Sequence, residues 1–254
     1  MTSRFASRAL LLLGLSSAAA LLMGLWIEPA LAQSLTFDLG DNSGSTTGRL
    51  IQLLALMTVL SLAPSILVMV TSFTRIVVVL SFLRTAIGVQ QSPPSTVIVS
   101  LALFLTAFVM APTLEQAWNN GLSPLIKEEI NEATALERTI QPFHRFMIQH
   151  VRDRDLKLFL DISKTPVPET PEATPLRALV PAFMISELRR AFEIGFLLFV
   201  PFLIIDMVVA SVLLAMGMMM LPPAIVSLPF KLIFFVLVDG WFLVAGSLVQ
   251  SFGQ

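Results

Sequence analysis

The chain has 254 residues, 56% of them hydrophobic and only 13% charged, with a formal net charge of −1 and no cysteine. Soluble domains carry about 25% charged residues, so this composition excludes an ordinary soluble globule and describes an integral membrane protein. The near-neutral charge argues against a nucleic-acid partner, and the lack of cysteine excludes disulfides, thiolate metal sites and cysteine nucleophiles.

The N-terminus has the order of a secretory signal: Arg4 and Arg8, then an apolar run, then Ala30-Leu31-Ala32. Cleavage is expected after Ala32. The alternative is an uncleaved first transmembrane helix, since the apolar run is long for a signal. Residues 33–49 read as a flexible leader, with a helix starting near Thr46 or Thr47, where a threonine hydroxyl can cap the first amides.

Apolar regions follow at Leu50–Val70, Thr96–Pro112, Gly195–Leu221 and Ala224–Val249. Crossing a bilayer core takes about 20 apolar residues. The second region is short by that measure. The first is interrupted by Pro64, the third holds Pro201 and Asp206, and the fourth holds Pro229, Lys231 and Asp239. Such breaks are either kinks in ordinary spans or irregular helices that protein or water covers, as in transporters and channels.

Arg75 and Arg84 lie between the first two regions, and Lys231 follows the turn between the last two. The positive-inside rule puts those turns in the cytoplasm and the stretch 113–181 outside. The segment from Phe73 to Ala86 is apolar enough to be a helix itself. In the outer stretch, Pro142–Ile162 reads as amphipathic helix with a polar break at Asp153–Asp155. "TPVPETPEATP" is an extended spacer, and "MISELRRAFEIGF" restarts helix. The expected fold is all-α: an integral membrane protein of broken hydrophobic helical hairpins, organised as 50–112, 113–181 and 182–254.

Signals of catalysis are weak. His144 and His150 lie about 120° apart on a helix and make poor co-ligands. Ser227 and Lys231 flank Pro229, where capping and snorkelling explain them better than a nucleophilic dyad. There is no phosphate-cradling loop, zinc spacing or nucleophile elbow, and nothing calls for a cofactor or a metal. Asp206, Lys231 and Asp239 are another matter. Each costs about 2.5–3.5 kcal/mol in hydrocarbon, so each should face protein, water or a partner. Lys231 and Asp239 are about 80° apart around a helix and two turns along it, so Lys231 is expected to meet Glu187 or Asp206 on another segment or subunit. A solute or ion transporter working through Asp206 and Asp239 is the competing function.

"SVLLAMGMMMLPP" crowds Met216, Met218, Met219 and Met220 around Gly217, just before Pro222 and Pro223. Methionine packs irregular gaps, so the cluster is either core filler or a soft constriction that deforms around a passing chain.

The blocks "MTSFTRIVVVLSFLRTAIGVQQSPP", "LALFLTAFVMAP", "PAFMISELRRAFEIGFLLFVPFLIIDMVVASVLLAMGMMMLPP" and "SLPFKLIFFVLVDGWFLVAGSLVQSF" closely resemble the FliP family of flagellar export-gate proteins. The SctR proteins of virulence secretion share much of this pattern. The resemblance runs from about Leu50 to Phe252. It implies a core subunit of the type III secretion export gate, in the inner membrane within the flagellar basal body. Several copies, five in the family's usual assembly, would form a helical ring with FliQ-type and FliR-type partners. That ring would enclose the channel for unfolded flagellar proteins. The family's methionine-rich loop corresponds to Met218, Met219 and Met220, with Met216 an added neighbour. Phe146, Phe159 and Phe199 resemble phenylalanines that narrow the channel. Glu187 and Lys231 are expected to form an ion pair between subunits. The family's gate also sits largely above the bilayer, which would account for broken and charged apolar segments.

Overall fold

The computed structural model describes residues 46–89, 92–218 and 220–253. The expected signal, its cleavage at Ala32, most of the leader, and Met219 lie outside the described residues. The chain divides into a unit up to Leu53 and a second from Leu54 onward; the packing below belongs to the second. Its described residues form helices, turns and irregular segments, with no strand.

Helix α1 spans Thr46–Val70. Pro64 does not end it but bends it, with 43° between Leu53–Leu62 and Pro64–Val70. Helix α2, Phe73–Ile87, closes on Gly88 in the left-handed conformation. The segment whose arginines suggested a cytoplasmic turn is therefore a helix, and it is the hub of the core. Its buried positions include Ile76, Val79, Leu80, Leu83 and Ala86, spaced by three and four. That spacing makes one helical stripe, and it packs on Leu179, Phe183 and Ala191 of a later helix. Each fully buried Leu or Phe contributes about 1.5–3 kcal/mol.

Helix α3 runs from Ser95 to Ala117, passes through a π-helical turn at Trp118–Leu122, and continues to Ile126. The region expected to be short is thus 32 residues of continuous helix, about 48 Å long. Helices α4, Glu132–His150, and α5, Asp153–Ile162, divide at Val151 and Arg152, just ahead of the break expected at Asp153–Asp155, whose residues form the first turn of α5. Asn131 caps α4 by accepting from the Thr134 amide at 2.8 Å.

Helix α6 extends unbroken from Leu176 to Ala215. The boundary expected at 181/182 falls inside it, and so does the expected break at Pro201. Proline removes one backbone hydrogen bond, and residues on either side remain helical. Helices α7, Pro223–Leu237, and α8, Gly240–Gln250, meet at 62°. By length and composition, Ser95–Ile126 and Leu176–Ala215 can each cross a membrane, and the bent pairs α1 and α7–α8 add up to two more candidates.

Candidate methionine loop and buried charge nodes

The loop between α6 and α7 is built by its backbone. Gly217 has φ +75°. Its amide donates to the Leu214 carbonyl at 3.1 Å, and the Met218 amide donates to Leu213 at 2.9 Å. This is the Schellman closure, which uses glycine to satisfy the last carbonyls of a helix. A Cβ at Gly217 would meet nothing within 4 Å, so backbone conformation, not space, is what calls for glycine there. Pro222 and Pro223 then start α7, where a missing amide proton is harmless.

The methionines divide in role. Met220 is 97% exposed and Met216 62%, while Met218 is 39% exposed. Met216 and Met218 both line a groove of about 830 Å³ between α6 and α7, with Val208, Val212, Phe230 and Ile233 among its walls. Every lining side chain is apolar. Met220 alone among the three stands clear of that groove.

Below the loop, Asp206 of α6 takes the Lys231 ammonium at 2.6 Å and the Ser227 hydroxyl at 2.5 Å. Lys231 also donates to the Ala86 carbonyl at 3.3 Å. That carbonyl belongs to the last turn of α2, where helix carbonyls lack partners and the macrodipole favours a cation. One ammonium therefore ties α2, α6 and α7 together. Lys231→Met keeps the stem and removes the charge. Because Asp206 is 35% exposed, water can replace part of what is lost, and the expected destabilisation is roughly 1–3 kcal/mol. Thermal unfolding in detergent measures it; an unchanged midpoint would refute the tie.

The second node is fully buried. Arg75 donates through Nε to Glu187 Oε2 at 2.8 Å and through Nη2 to Glu187 Oε1. Its Nη1 donates to the carbonyl and hydroxyl oxygens of Ser251 at 3.1 and 3.0 Å. The guanidinium carbon lies 3.7 Å from the Phe252 ring centroid. Burial pulls the Arg75 guanidinium below its ordinary value, and the hydrogen bond and charge of Glu187 oppose that pull. Nearby, Ser186 donates to Asp155 at 2.7 Å and accepts from the Arg152 amide, fixing α5 to α6.

Glu187 and Lys231, the residues expected to pair between subunits, do not meet within the chain. Each has its own partner within one chain, because α6 turns Glu187 toward α2 and places Asp206 opposite Lys231. Asp239 is not a buried charge here. It is exposed and sits at the bend between α7 and α8 with φ +50°, a conformation that aspartate tolerates better than most residues. Phe146 packs in the core of the chain, edge-on to Phe183 and stacked with Phe252. Phe159 and Phe199 are half-buried. His144 and His150 each bond a backbone carbonyl, of Thr174 and Phe146. Sequence reasoning treated Arg75 only as a topology signal. The hint it missed is a basic residue in register with the apolar stripe of α2.

The pattern defining the FliP family matches residues 56–248. The chain is 61% identical over 239 residues to the flagellar biosynthetic protein FliP of Caulobacter vibrioides, covering 94% of this chain and 90% of that protein. It is 54% identical over 212 residues to the protein of that name from Bacillus subtilis, covering 84% and 94%. With the Aquifex aeolicus FliP it shares 52% over 204 residues, covering 80% and 85%. With the described residues helical and long apolar helices among them, this chain belongs to the FliP family.

Proposed function

We propose that this chain is a core subunit of the flagellar type III protein export gate, a channel component without catalytic chemistry. In this reading it acts in the inner membrane at the flagellar basal body. Copies of the chain, five by family resemblance, assemble with FliQ-type and FliR-type subunits around a pore for unfolded flagellar proteins. The observation that carries the proposal is the methionine loop. It is an exposed, uncharged tip on a hairpin whose base is tied to α2 through Lys231. Unbranched thioethers suit a seal that closes without a fixed polar fit. A carrier working through Asp206 and Asp239 finds no support, since Asp206 is already engaged by Lys231 and Ser227 and Asp239 stands at an exposed bend.

The test is ion leak. Met218→Gly combined with Met220→Gly is expected to make membranes carrying the assembled gate permeable to small ions, while the parent stays tight and shows no saturable solute uptake. Tight membranes in the variant, with assembly intact by native mass, would overturn the seal.

A further inference from the structure

The chain contains no cysteine, so thioethers are its only sulfur. Their accessibility is sharply unequal. Met110 and Met147 are 1% exposed in the core, whereas Met220 is almost wholly exposed and Met216 more than half. Met57 and Met207 are exposed too, but they sit on long apolar helices. Met216, Met218 and Met220 occupy a turn between helices, where nothing approaches the Cβ position of Gly217 within 4 Å.

We infer that Met216, Met218 and Met220 form a peroxide-sensitive modification site, at which oxidation to methionine sulfoxide releases the loop from its groove. The step balances. A sulfur lone pair attacks one oxygen of hydrogen peroxide and the O–O bond breaks. The departing hydroxide takes the proton of the new S–OH group and leaves as water, so the sulfoxide is neutral. Sulfur is oxidised by two electrons and peroxide is reduced. The product is a polar acceptor. The groove lined by Met216 and Met218 holds only apolar side chains, so a sulfoxide oxygen there finds no side-chain donor. Met216 and Met218 already touch water, at 62% and 39% exposure, so a polar sulfoxide exchanges contact with the apolar wall for hydration, and the modified side chains turn further out to water, freeing the tip of the hairpin. Met220, already in solvent, oxidises first and changes the fold least. The consequence for permeability rests on the proposed gate; the site and the loosening do not.

The experiment treats membranes carrying the assembled protein with hydrogen peroxide. Peptide mass spectrometry follows sulfoxide formation, amide exchange follows residues 213–221, and ion leak is measured in parallel. The expected order is Met220, then Met216 and Met218, with Met110 and Met147 at least tenfold slower. Amide exchange around the loop should rise once Met216 or Met218 is modified. A variant with Met216, Met218 and Met220 all replaced by Leu should show neither faster exchange nor peroxide-induced leak. Oxidation that does not favour the loop over Met110 and Met147 would overturn the site. Loop sulfoxides without faster exchange would overturn the release. Sulfoxides with faster exchange but no leak would uphold this inference and count against the gate.

Discussion

Glu187→Ala is expected to destabilise the protein by about 3–5 kcal/mol, the range for removing one partner of a buried ion pair. The reason is what remains. Arg75 is fully buried, and Glu187 takes the donors on Nε and Nη2. Arginine stays charged and cannot escape by losing its proton. Its Nη1 is held by Ser251 at the end of α8, so the side chain cannot swing to water without freeing that end. The double replacement Arg75→Met with Glu187→Leu should recover most of the loss, because it leaves no lone charge. Denaturant unfolding in detergent distinguishes the two variants. If the double variant is as unstable as Glu187→Ala, the lone charge is not the cause.

Gly121→Ala is expected to separate the π-helical turn from α4 at a cost of about 1–3 kcal/mol, as for an overpacked core. The new Cβ would lie 2.1 Å from Thr139 Oγ1, 2.9 Å from the Thr139 amide nitrogen and 3.0 Å from the Ala135 carbonyl oxygen. The hydroxyl can rotate away, but the backbone atoms cannot. Adding Thr139→Ala should therefore rescue only part of the loss. Full rescue would mean that the hydroxyl alone sets the contact. Unfolding midpoints of the single and double variants decide between them.

Much of the local structure was legible in the sequence because it depends on near neighbours. The polar cluster Asp153–Asp155 opens α5 just after the division from α4, and Gly217 before Pro222 and Pro223 marks the hairpin tip. The apolar stripe from Phe73 to Ala86 reads as a helix. Pairings were less legible. Arg75 and Glu187 are 112 positions apart, and a string of charges does not say which opposites meet. Lys231 had two candidate acids, and only the packing of α7 on α6 selects Asp206. Pro201 misled for a different reason: proline's effect depends on whether the turns on either side stay packed, and here the helix continues through it. An amphipathic face such as that of Phe146 does not reveal whether protein or lumen covers it.

Helix α6 has a mechanical consequence. From Glu187 to Met216 it is a rod of about 43 Å at the usual rise per residue, held near one end by Arg75 and carrying the methionine tip at the other. About its fulcrum at Glu187, a tilt of roughly 5° sweeps that tip sideways by about 4 Å over this length. The clasp of Lys231 on Asp206 sits between fulcrum and tip, so breaking it lengthens the free arm and magnifies any movement begun at the buried end.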